Sequence, residues 1–306
     1  MAFVSRALSF IFTKADGSAF ANGAKQITIP PGNQAQVRIS SAGMPGMGGM
    51  EALIWGLTPD VMNQLSLLNV KVTLLTSNVV EVIAMNADGT NKSTAFYGGV
   101  WTAAPDYNGQ PNPFLSVQAY AGIQISALPP ISQGYNGATD LITVLESICK
   151  VIGWKVDNNG VSGVSLASSY HWGSPRDAIV KIRDAMITRG IEIDIPIDTS
   201  ETVSVWYKDK ARSGTVPLVS AGTPGAPGTL IGYPRYTQLG IDFTCVYTPT
   251  LRRGGQAQVQ SSLPSATGLW RIDGMAHALD AQMPNGKWET VVQASRTGAF
   301  PQVSKL

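Results

Sequence analysis

Charge is what this sequence has least of: 14% of its 306 residues are Asp, Glu, Lys or Arg, where an ordinary soluble domain carries about 25%. With a net charge of +2, no strong field draws nucleic acid or an anionic membrane to the surface. The two cysteines and two histidines lack the paired spacing of a zinc site or a redox motif. Cys149 sits in an apolar helical pattern and Cys245 in a strand-like one, so both are expected as buried free thiols. No apolar run approaches the roughly 20 residues of a membrane helix. The opening "MAFVSRALSFIFTKADG" has a short apolar stretch, broken by Ser9, and no small-residue cleavage site. It reads as a first strand and not a signal peptide, which implies a chain made soluble in a reducing cytoplasm, without membrane insertion.

Recognisable chemistry is also absent. There is no P-loop, dinucleotide fingerprint, Gly-x-Ser-x-Gly elbow, His-Glu-x-x-His helix or zinc ribbon, so no cofactor, metal or catalytic residue is assigned. His277, with Asp273 and Asp280 nearby, lies in a segment that alternates on both sides of Pro284-Asn285-Gly286-Lys287. An Asn-Gly turn of type I′, with both central residues at positive φ, would make this a hairpin. On one strand, Asp273 and His277 would stand about 13 Å apart, too far for a catalytic pair. Asp280 would face the other way unless a bulge near Gly274 shifts the register. Architecture is the expected role.

What is present is strand pattern, glycine and proline. Residues 1–128 alternate with period two through "RALSFIFT", "KQITI", "QAQVRIS", "EALIWG", "NVVEVIAMNA", "STAFYGGVWTAA" and "FLSVQAYAG". One helix interrupts them, with Thr58 as N-cap, Pro59 as first residue and Val61, Met62, Leu65 and Leu68 as the apolar stripe. Such a helix would lie across one mouth of a closed or nearly closed antiparallel sheet. Residues 129–212 form an α+β unit. Leu141, Leu145, Ile148, Cys149 and Ile152 mark one helix; Ser174 and Pro175 start a second that ends at Gly190; "IEIDIPID" and "TVSVWYK" follow as strands. Residues 213–306 begin with a stretch dense in Gly and Pro, Ser213 to Pro234, read as a linker or long loop. A second mainly β unit follows. The strands are long, which favours a barrel or a sheet that continues into a neighbour.

A few residues invite a role. Glu192, Asp194 and Asp198 share a strand parity and could gather acid, although cation sites draw their oxygens from tight loops. Tyr170, His171 and Trp172 form an aromatic group ahead of a helix, suited to a sugar or peptide, or to stapling the helix start. In the Gly-rich loop from Ala42 to Met50, Met44, Met47 and Met50 suit a contact between subunits, since methionine packs adaptably. Arg252 and Arg253 are too few for a nucleic-acid footprint but could pair with acids of a neighbouring subunit.

The order of "SAGMPGMGGMEALIWGLTPDVMNQLSLL", "GYPRYTQLGIDFTCVYTPTLRRGGQAQVQSSLPSATGLWRI" and "HALDAQMPNGKWETVVQA" resembles the baseplate hub proteins of contractile-tailed bacteriophages, from Phe3 to about Ser295. The resemblance implies a mainly β chain with two tail-tube-like antiparallel β-barrel domains flanking an inserted α+β domain. It also implies a structural, non-enzymatic role in the virion tail baseplate. Three copies would form a ring joining the hexameric tail tube, or its initiator, to a trimeric central spike. A tape-measure protein would be a further partner, and DNA would pass through the channel without specific binding. Some phage hubs carry a fused lysozyme or peptidase module, and this chain has no length for one. Two other classes compete. One is a wall-degrading or carbohydrate-active tail enzyme using Glu192, Asp194 or Asp198, which needs two carboxylates about 5 to 10 Å apart across a cleft. The other is a glycan- or peptide-binding β module using Tyr170, Trp172 and Trp206.

Overall fold

The computed structural model of the chain describes residues 5–14, 17–41, 48–66, 78–108, 111–126, 128–166, 170–171, 173–197, 201–223 and 226–296. Its regular structure is mainly strand, most of it in antiparallel sheet. One 13-stranded sheet holds both β regions, and its main path begins with strands Leu230–Tyr236, Gly240–Val246 and Trp288–Ser295. The long strand Gly268–Ala281 comes next, followed by Ala35–Ser41, Gly49–Trp55 and Phe114–Tyr120. Ser93–Asp106, Val79–Asn86, Arg6–Thr13 and Gln26–Ile29 complete it.

The alternation seen in sequence is the burial pattern. In Ala35–Ser41 and Phe114–Tyr120, every second residue is buried, and these faces close over a core that includes Phe10, Phe12, Ile54, Phe96 and Leu115. Helix α1 (Pro59–Leu65) adds Met62 and Leu65 to this core, and the Thr58 hydroxyl caps it by accepting from the Val61 amide at 3.4 Å. Leu68 lies outside the described residues.

A second core belongs to helices α2 (Leu141–Val151) and α3 (Pro175–Thr188). They pack on a small sheet in which Lys155–Asn158 runs parallel to Thr202–Tyr207, with Ile193–Asp194 on its other side. Asp140 caps α2, and Ser174 with Asp177 forms a reciprocal capping box on α3, satisfying amides that have no partner inside the helix. The segment "IEIDIPID" is less regular than its alternation promised. Only Ile193–Asp194 pairs as a strand, and Ile197 makes an isolated bridge to Val203. Pro196 intervenes, with no amide to donate to a ladder.

The third core holds Ile241, Phe243, Cys245, Trp270, Ile272 and Val292. The Gly/Pro-rich stretch Ser213–Pro234, expected as linker or loop, is woven into this unit. Leu218–Ser220 pairs in parallel with Gln256–Gln260, and Leu230–Tyr236 pairs with Gly240–Val246. Both cysteines are free and buried, and burial pushes each thiol up to about 12.

The strand Gly268–Ala281 serves two cores. Its first half carries Trp270 and Ile272 into the third core, and its end carries Leu279 and Ala281 into the first. A register shift between Ile272 and Gly274 leaves Asp273 as an extra residue, which switches the inward parity from even to odd. Beyond it, Met275–Ala281 pairs with Ala35–Ser41, fusing the two β units into one sheet. The hairpin to Trp288–Ser295 is present, but its turn is not type I′. The Gly286 amide bonds to the Met283 carbonyl at 3.1 Å, with Pro284 and Asn285 between them. Asn285 takes φ +55°, as a type II turn requires at that position. Gly286 is needed for space: a Cβ there would stand 2.8 Å from the Asp280 Cβ.

Candidate functional site

The three cores meet at a cavity of about 560 Å³. Ser40, Ser41 and Thr94 reach it from the first β unit, Asp157 and Ile197 from the helical unit, and Arg252, Arg253 and His277 from the second β unit. Its wall includes Arg212, which sequence reading passed over, beside Arg252 and Arg253. Arg212, with a side chain 4% exposed, pairs with Asp157 at 2.9 Å and donates to the Ser204 hydroxyl at 2.7 Å. Its backbone amide donates to the Gly254 carbonyl at 2.7 Å. Burial alone would raise the Asp157 carboxyl, but hydrogen bonds from Asn159 and Arg212 outweigh it and hold the group below the usual range.

Arg253 reaches the helical unit from the second β unit. It pairs with buried Asp194 at 2.5 Å, and its Nε donates to the Asp273 carbonyl at 3.0 Å. The contact expected with a neighbouring subunit is therefore made inside the chain. The Trp206 ring is close to both guanidinium groups, with distances of 5.1 Å to Arg212 and 5.9 Å to Arg253, in the range of cation–π attraction. Being 3% exposed, it offers no face to a glycan. Gly254 closes the packing, since a Cβ there would fall 2.5 Å from the Trp206 ring. Arg271, its side chain 4% exposed, donates to Asp273 Oδ1 at 2.9 Å and to the Lys208 carbonyl.

His277 lines the same cavity from within the strand Gly268–Ala281. Its Nδ1 shares a hydrogen bond of 2.8 Å with the Thr290 hydroxyl, and the Tyr247 ring meets it edge-on at 5.2 Å. Burial pushes its pKa down to about 4, keeping it neutral near pH 7. The carboxylates near it in sequence are engaged elsewhere, Asp273 with Arg271 and Asp280 with Arg38 at 2.5 Å. Of the acidic trio, Asp194 is paired and buried, Glu192 pairs with Lys208 at 3.4 Å, and Asp198 lies outside the described residues. The two described members of the trio are thus engaged in ion pairs within the chain. Among the described residues, no three His, Cys, Asp or Glu side chains gather as metal ligands.

Met50 is 2% exposed and belongs to the first core, because the alternation of Gly49–Trp55 turns it inward. It is unavailable for a subunit contact, while Met44 and Met47 lie outside the described residues. Arg252 is exposed beside the cavity. The Tyr170–His171 backbone pairs with Ser132–Gln133, but the side chains of Tyr170, His171 and Trp172 lie outside the described part. No sequence signal marks Arg212 or Arg271: a buried arginine and a surface one look alike until their partners are placed.

No protein-family model matches the chain, and no curated protein resembles it in sequence. Solved structures do resemble it. A tail protein from Neisseria meningitidis superposes with a TM-score of 0.62 at 9% identity, covering 96% of this chain and 98% of its own. The 43 kDa tail protein of prophage MuSo2 from Shewanella oneidensis gives 0.55 at 13% identity, covering 96% and 100%. An E. coli component of the type VI secretion system, described as structurally similar to bacteriophage T4 tail proteins, gives 0.53 at 7% identity, covering 88% and 75%. Among the described residues, no helix is long and apolar enough to cross a membrane. Along nearly its whole length, this chain has the fold of phage tail proteins.

Proposed function

We propose that this chain is a structural, non-enzymatic hub of a phage tail baseplate. In this reading three copies form a ring in the virion, joining a hexameric tube to a trimeric spike around a channel for DNA. The observation that carries it is the sheet itself. Each chain sets two β cores side by side on one continuous sheet, so three chains offer six β units to a sixfold tube. We read the two β units as tube-like barrels and the helical unit as an insertion between them. The ion pair of Arg253 with Asp194 at the internal junction suits a rigid joint between the units.

Passage of DNA favours a wall that does not grip phosphate. Arg38 and Arg235 are each held by a carboxylate of the same sheet, Asp280 at 2.5 Å and Asp242 at 2.7 Å, which suits such a wall. Light scattering of the purified chain together with electron micrographs tests the proposal. The expected result is a closed trimer with a central channel. A stable monomer, or muralytic activity in the purified protein, would overturn it.

A further inference from the structure

The sheet path ends at Leu230–Tyr236, which among the described residues pairs only with Gly240–Val246. This edge is unusually apolar. Tyr233 is 75% exposed, Tyr236 53%, Leu239 56% and Ile231 43%. Leu218, 53% exposed, lies alongside, its carbonyl accepting from the Thr229 hydroxyl at 3.5 Å. The one cation on the strand, Arg235, is tied to Asp242. Soluble monomers blunt such edges with free charge, and this one keeps five large apolar side chains in water.

We infer that this edge is a contact with a second copy of the chain, meeting the opposite end of the neighbour's sheet at Gln26–Ile29. The inference rests on the hub reading. In a ring of alternating β units, each chain already joins its own two units by the ladder between Met275–Ala281 and Ala35–Ser41. The main path of the sheet offers two ends for the contact between chains, Leu230–Tyr236 on one side and Gln26–Ile29 on the other, and the side branch through Gln256–Gln260 ends at Leu218–Ser220, beside the first of them. A contact between unlike ends is heterologous, and such contacts close into a ring when the rotation between copies closes, as the hub reading requires. The area is adequate: taking roughly 200 Å² per side chain, the five residues expose on the order of 500 Å². That is over half of the ~800 Å² that each partner of a standard interface buries.

The contact is made by side chains and not by adding a strand. A register shift between Ile231 and Arg235 bends the edge, and Pro234 removes an amide from it, and both features discourage ladder extension. Tyrosine suits the opposite surface, where Lys25, Gln26 and Thr28 are exposed, because its ring buries area while its hydroxyl can bond to polar groups.

The test compares the full-length chain with Tyr233→Glu/Tyr236→Glu and with Tyr233→Phe/Tyr236→Phe by light scattering, with circular dichroism to confirm folding. The expected result is a trimer for wild type and for the Phe variant, and at least a tenfold weaker assembly of a folded Glu variant. If wild type is trimeric and the folded Glu variant stays equally trimeric, this interface is wrong and the hub reading stands. A monomeric wild type removes both. Orientation is read by cross-linking with a short bis-maleimide, since both native thiols are buried. Mixing Thr28→Cys with Tyr233→Cys chains should give linked pairs. Self-linked Tyr233→Cys chains, or trimers in which the mixed pair never links, overturn the head-to-tail arrangement.

Discussion

Between the two β units the chain crosses on a ladder, with Met275–Ala281 paired residue for residue to Ala35–Ser41. Between the second β unit and the helical unit it crosses mainly on side chains, through Arg253 to Asp194, Arg212 to the Arg253 carbonyl at 3.3 Å, and the Trp206 ring against both guanidiniums. The first junction is built from groups every residue carries, so most substitutions leave its hydrogen bonds intact. The second is built from a few buried charges, each costly to leave unpaired. One molecule thus joins its parts by two physical means. The first should tolerate sequence change, and the second should fail at single positions.

The largest effect should follow from breaking the second junction. Arg253→Met leaves the Asp194 carboxylate, with a side chain 6% exposed, buried without its partner. Loss of one member of such a pair costs about 3–5 kcal/mol, measurable by urea denaturation. Arg253→Met/Asp194→Leu should recover most of that loss, because replacing a whole buried pair by apolar groups is close to neutral. A double variant as unstable as the single would mean that Arg253 acts through Trp206 or the Asp273 carbonyl, and not through charge.

Acid should probe both junctions in sequence. His277, next to the ladder, has its pKa pushed from the usual 6.5 to about 4 by burial, so the unfolded chain binds the proton first. Stability is then full above about pH 6.5 and falls as pH drops toward 4, to a limit of about 3 kcal/mol. Asp157 in the arginine junction and Asp280 at the ladder are both held below the usual carboxylate range. Their contributions are lost at lower pH, as each protonates in the folded state. His277→Gln should flatten the thermal-melting profile between pH 6.5 and 4. An unchanged slope would show that other groups set it.

Gly286→Ala tests the ladder's far end. The added Cβ meets the Asp280 Cβ at 2.8 Å, and overpacking of this kind costs about 1–3 kcal/mol. A melting temperature equal to wild type would show that the loop Gln282–Lys287 shifts without cost.

Much of the fold was legible because period and capping are local. The strands of the first unit, the Thr58 and Ser174 caps, the hairpin around Asn285 and the buried cysteines all follow from neighbours in sequence. What was not legible depends on distant partners. The Gly/Pro-rich stretch reads as a linker because its strands are short and their partners, Gln256–Gln260 and Gly240–Val246, lie downstream. Asn-Gly suggested a type I′ turn, but Pro284 moved the positive φ to Asn285 alone and left Gly286 under a steric demand instead. Met50 looked like part of an exposed loop because the loop's return into strand Gly49–Trp55 was invisible. Arg253 was noticed for its charge, but its partner Asp194 stands 59 residues away, and no local pattern connects them.

The smallest effect should come from the one ion pair on the ladder, and it sharpens the comparison most. Arg38 pairs with Asp280 at 2.5 and 3.2 Å, but the arginine side chain is 39% exposed, so solvent and salt screen it. Asp280 also keeps a second donor, the Lys287 amide at 2.9 Å, and is not orphaned when the guanidinium goes. Arg38→Ala should therefore cost no more than about 1 kcal/mol, several times less than Arg253→Met, and the difference from wild type should shrink further in high salt. The backbone bonds of Ala35–Ser41 to Met275–Ala281 remain in the variant. If Arg38→Ala proved as damaging as Arg253→Met in the same denaturation series, the ladder would not be carrying its junction, and the two β units would be held by charge as the helical unit is.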